Sequence, residues 1–130
     1  MIDHLGIDVS DVERAKRFYR EALAPLGIDV AVEVPAEQST SGAYVGMGTD
    51  GQPFFWFGAG TRPPSPVHIA FTAHSRAVVD AFYHAALAAG GQDNGPPGLR
   101  PHYHATYYGA FVLDPDGHNI EAVCHKEDAG

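Results

Sequence analysis

The sequence predicts an α+β fold made of two similar halves, each with the element order strand-helix-strand-strand-strand. The first observation is an internal repeat, in which residues 64 positions apart are often identical. The second is that helical and strand-like hydrophobic patterns follow in the same order in both halves. The third is the turn sequence Asp114-Pro115-Asp116-Gly117 between two apolar segments, which is typical of a hairpin. Two such βαβββ modules imply a pseudo-two-fold architecture around a shared cleft.

The repeat is strongest from the first strand to the end of the first helix. Among the 24 residues from His4 to Gly27, seven are identical to the residue 64 positions later. Amphipathic helices resemble one another, but here the offset also holds through a strand without a gap. The matched positions are His4/His68, Phe18/Phe82, Tyr19/Tyr83, Ala22/Ala86, Leu23/Leu87, Ala24/Ala88 and Gly27/Gly91, and later Tyr44/Tyr108 and Asp50/Asp114.

The first half opens with a predicted strand from Ile2 to Val9, whose apolar side chains alternate and should face a helix layer. A helix follows, with apolar residues at helical spacing from Val12 to Leu26. Its N-cap is either Ser10, in a capping box with Glu13, or Asp11. Gly27 ends it. Predicted strands then cover residues 28–34, 42–48 and 52–58, with a polar loop over 35–41.

The second half is predicted in the same way after a Pro-rich connector, residues 59–66. A strand covers 67–73, and Ser75 caps a helix that runs to about Ala89. The turn-rich segment 92–101 is predicted as a loop, followed by a short strand near 102–106. The hairpin comes last, with one strand ending at Leu113 and the other running from about His118 to Cys124. The modules are thus about 1–58 and 67–126, within one domain spanning 1–130.

Composition limits the classes of function. At 130 residues the chain is large enough for one core. A net charge of -8 argues against a nucleic-acid partner. The single cysteine excludes an intrachain disulfide and a Cys-based zinc site. There is no apolar run of the roughly 20 residues that span a membrane and no signal-peptide pattern, so we expect a cytoplasmic protein.

Glu121 is the most informative single residue. Alternation puts Asn119, Glu121 and Val123 on one face of the last strand, and the neighbouring residues are apolar. A buried carboxylate without a partner is costly, so Glu121 should lie close to a cation or a hydrogen-bond donor.

Several motifs resemble one known superfamily. These are His4-Leu5-Gly6-Ile7, the Phe-Tyr pair in each helix, Val67-His68-Ile69-Ala70-Phe71, and the segment from Asp114 to Glu121, DPDGHNIE. The chain is similar along nearly its whole length to the vicinal oxygen chelate superfamily, which includes glyoxalase I, bleomycin-resistance proteins, fosfomycin-resistance thiol transferases, methylmalonyl-CoA epimerase and extradiol dioxygenases. The resemblance implies paired βαβββ modules that form a U-shaped sheet around a divalent metal ion.

By position, the metal ligands that the resemblance implies are His4, His68 and Glu121. Two imidazoles and one carboxylate on one side of a metal leave open positions opposite, which suits chelation of two vicinal substrate oxygens. The metal (Fe, Mn, Zn or Ni) would be the cation that Glu121 lacks. The alternative is that both histidines bond to backbone groups in the core and that Glu121 bonds only to a nearby Tyr or His.

The position equivalent to Glu121 in the first half is an aromatic residue, Phe57 by the 64-residue offset or Phe55 if the Asp-Gly turns are aligned. Glyoxalase I and the epimerases have a ligand there, so the chain departs from them. It looks more like the dioxygenases and fosfomycin enzymes, which use two His and one Glu. The fosfomycin enzymes also need a cationic cluster, for which the chain offers only Arg62 and Arg100.

The segment 99–108 is a second candidate for chemistry because it is rich in His, Tyr and Arg and leads into the hairpin. A histidine there is a candidate general acid or base, with His102 and His104 pointing the same way by alternation. Tyr107 or Tyr108 could orient a substrate oxygen, and Arg100 could pair with a carboxylate. Aromatic packing at the rim is the alternative. A substrate wall is expected from Phe55, Trp56 and Phe57.

Two functions follow from these observations. The first is a metal-dependent enzyme acting on a small molecule with vicinal oxygens, as a lyase, an isomerase or a ring-cleaving dioxygenase. The second is a metal-free protein that binds and sequesters an antibiotic-like compound, as bleomycin-resistance proteins do. The three convergent ligands favour the enzyme. The resemblance also implies a homodimer, with the two modules paired either within one chain or by exchange between two chains.

Overall fold

Two four-stranded mixed sheets, each with one helix, form the α+β fold that the repeat predicts. The computed structural model describes residues 1–39, 42–60 and 65–127. Four residues of the predicted connector, 61–64, and the end of the predicted loop, 40–41, lie outside this range. The first sheet has the strand order β1-β4-β3-β2 and the second β5-β8-β7-β6, so the two halves share one topology. A cleft between paired modules is consistent with this architecture.

In the first half, β1 (Leu5–Val9) runs parallel to β4 (Gln52–Ala59), and β3 (Tyr44–Thr49) joins β4 to β2 (Asp29–Val34). In the second half, β5 (His68–Thr72) runs parallel to β8 (Asn119–Cys124), and β7 (Tyr108–Leu113) joins β8 to β6 (Gln92–Leu99). Each first strand is therefore an exposed sheet edge. Short 3-10 helices cover Ala24–Leu26 and Ala36–Gln38.

The helices are α1 (Val12–Leu23) and α2 (Arg76–Ala88). Asp11, not Ser10, is the N-cap of α1, because its carboxylate accepts the Arg14 N–H at 3.1 Å. Ser10 bonds to Asp116 instead, at 2.5 Å. Ser75 caps α2 as predicted, accepting the Val78 N–H at 3.2 Å.

One hydrophobic core spans both halves, because α1 and α2 pack against each other as well as on their own sheets. Phe55 of the first sheet meets Phe71 of the second edge-to-face, with ring centroids 5.5 Å apart. Tyr19 of α1 is fully buried, and its hydroxyl donates to Asp114 in the turn before β8. The halves are thus joined by packing and by a buried polar contact.

His118, which follows the Asp-Pro-Asp-Gly turn, takes part in the same junction. Its side chain is only 1% exposed. Nδ1 accepts the Val67 N–H at 3.1 Å, and Nε2 donates to the Asp8 carbonyl of the first half at 3.0 Å. A histidine beside a turn is buried here because the turn packs on the end of β1.

The predictions were wrong at two segments of the second half. Residues 92–99 form β6 rather than a loop, and residues 102–106 form turns rather than a strand. Pro96 and Pro97 lack N–H donors, but β6 is an edge strand and its ladder skips from Gly95 to Gly98. An edge strand tolerates the loss of these hydrogen bonds. The Gly and Pro residues alone predict a loop, because they do not show that the segment lies at a sheet edge.

Candidate functional site

The face of the second sheet opposite its helix, called the concave face below, carries the candidate site. Cross-strand pairing places Ala70, Glu121, Phe111 and Gly95 side by side on β5, β8, β7 and β6. Ile120, Ala122 and Cys124 point the other way into the core, as alternation predicts. Glu121 therefore lies at the centre of the concave face.

Glu121 has two side-chain partners. His68 on the neighbouring strand contacts it through Nε2, 2.9 Å from Oε1, and the Tyr107 hydroxyl donates to Oε2. Glu121 is 1% exposed, whereas the His68 side chain is 52% exposed. The expectation that this acid lies beside a hydrogen-bond donor is confirmed.

Gly109 makes room for this arrangement. It lies on β7 beneath Tyr107 and Glu121, and a Cβ at this position would lie 3.1 Å from Tyr107 Cε1 and 3.2 Å from Glu121 Oε2. Any larger residue would crowd both partners. Burial raises the pKa of Tyr107 well above its usual range, and the bond to Glu121 raises it further. The hydroxyl therefore remains a donor at neutral pH.

His4 lies apart from this pair. It is at the start of the chain before β1, its side chain is 59% exposed, and its Nδ1 contacts Asp3 at 2.6 Å. Within residues 1–39, 42–60 and 65–127, no three His, Cys, Asp or Glu side chains are grouped closely enough to hold a metal ion. One chain thus brings together two of the three predicted ligands.

The chemistry of the pair fits a divalent metal ion. Imidazole nitrogen and carboxylate oxygen are ligands of Fe, Mn, Zn and Ni. Ligands at neighbouring positions of a metal, with bonds of roughly 2.0 to 2.2 Å, are themselves about 3 Å apart. The distance of 2.9 Å from His68 Nε2 to Glu121 Oε1 matches that separation. A metal would replace the proton that the two atoms share.

The predicted catalytic residues divide between two faces. The Tyr108 hydroxyl donates to Asp80 of α2 at 2.7 Å, and Arg76 lies over the Tyr108 ring, so this tyrosine faces the helix layer. This corrects its assignment to the site. Tyr107 immediately before it reaches Glu121.

The two candidate histidines lie on the rim. His102 is exposed and packs on Tyr103 at 4.2 Å, while His104 is exposed and contacts Thr106 at 3.1 Å. His125, which directly follows β8, has its ring centroid 5.2 Å from that of Tyr107 and 6.2 Å from that of His104. Of these three histidines, His125 is the one that lies against the Tyr107 ring.

Only one of the three predicted wall aromatics faces away from the core. Phe55 and Phe57 are 0% and 1% exposed and pack on Tyr19, with centroids 5.0 and 5.3 Å away. Their assignment to a substrate wall is corrected, because alternation directs both towards α1. Trp56 lies on the concave face of the first sheet, over Gly46 and 5.9 Å from Tyr44.

Strand pairing also revises the comparison of the two halves. Gly6 pairs with Trp56 as Ala70 pairs with Glu121, so Trp56 rather than Phe55 or Phe57 is the counterpart of Glu121. The offset is 64 residues in the first strands and 65 in the third and fourth, because the second half has one additional residue between them. The counterpart is still aromatic, and the first sheet has no ligand there.

Arg100 lies at the far end of the concave row. Its guanidinium carbon is 5.4 Å from the Phe111 centroid, and the His68 ring is 6.1 Å from the same centroid. Phe111 and Gly109 were missed in the sequence. The hairpin register identifies Phe111, because the loop 114–118 pairs Leu113 with Asn119 and hence Phe111 with Glu121. The predicted four-residue turn 114–117 would instead have paired Phe111 with Ile120.

Comparisons with known proteins agree with the fold. The profile of the Glyoxalase/Bleomycin resistance protein/Dioxygenase superfamily matches residues 1–122, and the chain belongs to this superfamily. A glyoxalase/bleomycin resistance protein from Albidiferax ferrireducens T118 is 29% identical, with a TM-score of 0.73, over 94% of this chain and 96% of that chain. Comparison with curated protein sequences gave no match.

Two more distant structures share the fold. A glyoxylase/bleomycin resistance protein/dioxygenase domain from Frankia sp. EAN1pec is 19% identical, with a TM-score of 0.72, over 98% of this chain and 93% of that one. A glyoxalase I mutant, E144Q, from Zea mays is 21% identical, with a TM-score of 0.71, over 94% of this chain but 46% of that chain. Neither helix in the described part of the chain is long and apolar enough to cross a membrane.

Proposed function

We propose that the protein is a divalent-metal-dependent enzyme that acts on a small molecule with two neighbouring oxygen atoms. The observation that carries this proposal is the pairing of His68 with buried Glu121 on an open concave face. This pairing places a carboxylate oxygen and a half-exposed imidazole nitrogen, both ligands of divalent metals, side by side on that face. Lyase, isomerase and ring-cleaving dioxygenase reactions all fit a site that chelates vicinal oxygens.

The residues of the site have different roles in this proposal. His68 and Glu121 would hold the ion, and Tyr107 would orient Glu121 through its second oxygen. When bound, the ion would act as a Lewis acid that polarises the substrate oxygens. Phe111 gives the substrate an apolar surface beside His68, at 6.1 Å between ring centroids.

The third ligand in this proposal is His4 of a second copy of the chain. Both β1 and β5 are sheet edges, and the His4 and His68 side chains are about equally exposed, 59% and 52%. Edge-to-edge pairing of two chains would bring one copy's His4 to the other copy's His68 and Glu121. It would also face the Trp56 surface of one copy towards the Glu121 surface of the other. A homodimer is thus part of the proposal.

Metal content tests the site directly. Protein purified without a His-tag and incubated with Fe, Mn, Zn or Ni ions should retain about one equivalent per chain by elemental analysis. His68→Ala and Glu121→Ala should lose it, as should His4→Ala. His84→Ala, which removes an exposed histidine on α2, is the matched control and should bind as wild type does. Wild-type protein that binds no metal under these conditions contradicts the proposal.

One observation favours the second candidate, a metal-free binding protein. Both Glu121 oxygens already have protein partners, His68 and Tyr107, and the Trp56 indole forms a flat surface on the other half. Trp56 is the only tryptophan, so its fluorescence reports on that surface. Quenching by a flat cationic compound in protein without metal, unchanged in Glu121→Gln, would support sequestration over catalysis.

A further inference from the structure

The side chain of Arg100 is fixed on the concave face. Its backbone N–H donates to the Tyr107 carbonyl at 2.7 Å, which closes the 100–107 turn. The side chain then folds back over β6, where Nη2 donates to the Pro96 carbonyl at 2.7 Å. The guanidinium lies over Phe111, 5.4 Å from the ring centroid. A cation held by a hydrogen bond and an aromatic ring has lost much of its freedom before any ligand binds.

Two glycines leave space for the Arg100 guanidinium on the sheet. A Cβ at Gly98 would lie 3.1 Å from Nη1, and a Cβ at Gly95 would lie 3.3 Å from Nη2 and 3.0 Å from Phe111 Cδ1. The sequence Gly95-Pro96-Pro97-Gly98 thus supplies a carbonyl acceptor and leaves room on either side of it. A side chain at either position would force the guanidinium to shift by a few tenths of an ångström.

Arg100 has no carboxylate partner within ion-pair distance in the described part of the chain. Arg14, Lys16 and Arg20 each pair with an Asp or Glu. Among the described residues Arg17, Arg76 and Lys126 are not ion-paired either, but Arg17 and Arg76 lie on the helices and Lys126 follows β8, whereas Arg100 lies on the concave face. Its remaining donors match a planar, bidentate acceptor.

The position of Arg100 sets the size of the ligand. Glu121 pairs across the sheet with Phe111, and Phe111 with Gly95, over which the guanidinium lies. Two strand spacings separate Glu121 from this point, which is roughly 10 Å. A small molecule bound through one end at His68 and Glu121 can therefore reach Arg100 with the other.

We propose that Arg100 binds a carboxylate of the substrate, so that the substrate is a small acid with two vicinal oxygens at one end. This inference rests on the function proposed above and specifies its substrate class. A single arginine with one donor already bonded to Pro96 suits a singly charged carboxylate. A phosphate, with nearly two charges, usually recruits further cations, and the described residues place none beside Arg100.

The test uses two matched probes, catechol and 3,4-dihydroxybenzoate, which differ by a carboxylate. Each is titrated under anaerobic conditions into metal-loaded protein, and binding is followed by calorimetry. Wild type should bind the acid more tightly than catechol. Arg100→Met should weaken binding of the acid by about 10- to 100-fold, the contribution of a charge-assisted hydrogen-bond pair, and leave catechol affinity unchanged.

Two further variants make the result specific. Gly98→Ala displaces the guanidinium while keeping its charge, and should weaken binding of the acid without altering metal content. Arg17→Met removes an exposed cation from α1 and should have no effect. Equal affinity of wild type for both probes would overturn the inference, as would an Arg100→Met variant that loses both probes equally. Inorganic phosphate competing better than benzoate would overturn the choice of carboxylate.

The outcomes separate this inference from the function on which it rests. If wild type binds metal but does not prefer the acid, only the substrate class fails. If wild type binds no metal, the enzyme proposal fails whatever Arg100 does.

Discussion

Tyr107 and Tyr108 are neighbours in the chain, but their hydroxyls lie on opposite sides of the second sheet. Tyr107 reaches Glu121 on the concave face, and Tyr108 reaches Asp80 on the helix side. The sequence makes both of them candidates because the segment is rich in His and Tyr. It does not reveal which side of the sheet each side chain faces. The register of the hairpin, which the 114–118 turn sets, determines which face each of them occupies.

Replacing Tyr107 by Phe tests its role in positioning Glu121. The variant keeps the ring but loses the donor to Oε2, so the carboxylate is less well oriented. We expect metal affinity to fall by about 10- to 100-fold, as for other residues that orient a ligand. The measurement is competition with a fluorescent chelator.

Tyr103→Phe is the matched control for this prediction. Tyr103 is 60% exposed and packs on Tyr107 with centroids 5.0 Å apart, but it does not reach Glu121. Its variant should keep wild-type metal affinity. If Tyr107→Phe lowers the melting temperature but not metal affinity, the bond is structural only.

Among the elements, the 114–118 turn does more than join two strands. Asp114 accepts the Tyr19 hydroxyl and the N–H groups of Asp116 and His118, and His118 reaches back to Asp8. The sequence predicts the turn from its Pro and Gly. It does not predict the junction, because the partners lie about a hundred residues away.

The Tyr19 bond predicts a loss of stability at alkaline pH. Burial raises the pKa of Tyr19 well above 10, and the Asp114 charge raises it further. Above pH 10 the unfolded chain loses this proton while the folded chain keeps it, so stability present below pH 10 falls as pH rises. The slope is up to about 1.4 kcal/mol per pH unit for one tyrosine.

Urea unfolding between pH 8 and pH 11 measures this effect. Tyr19→Phe should cost about 1 to 3 kcal/mol at pH 8, because Asp114 loses a buried donor. The free energy of unfolding of this variant should also decrease less steeply above pH 10 than that of wild type. A decline of the same steepness in both proteins would show that other groups cause it.

At the scale of the whole molecule, the sequence predicts the two βαβββ halves well because the repeat and the hydrophobic periods agree. β6 is the exception, since its stability as a strand comes from pairing with β7 and not from its own residues. The candidate site is predicted less completely. His68 and Glu121 meet, but whether His4 joins them depends on how sheets pair, and local patterns do not determine that.

Mixing two variants tests whether a second copy supplies His4. In the proposed dimer, His4→Ala and Glu121→Ala each destroy both sites. A mixed dimer of the two has one site with both substitutions and one intact site. The two variants are unfolded and refolded together. We expect the mixed dimer that forms to bind about half an equivalent of metal per chain.

The mixed dimer can be isolated with two different affinity tags. A mixture of His68→Ala with Glu121→Ala is the control, because both residues belong to the same half and one chain must carry both. That mixture should regain nothing. Recovery in the control, or none in the His4 mixture, would contradict a site shared between chains.

The bond from Tyr19 to Asp114 also bears on how the chain acquires its structure during translation. The first half leaves the ribosome with a buried hydroxyl whose partner has not yet been synthesised. Its core is equally incomplete, since Phe55 packs on Phe71. Nascent chains that stop before residue 114 should therefore stay loosely packed and sensitive to protease, and native packing of the first half should follow the emergence of the last turn.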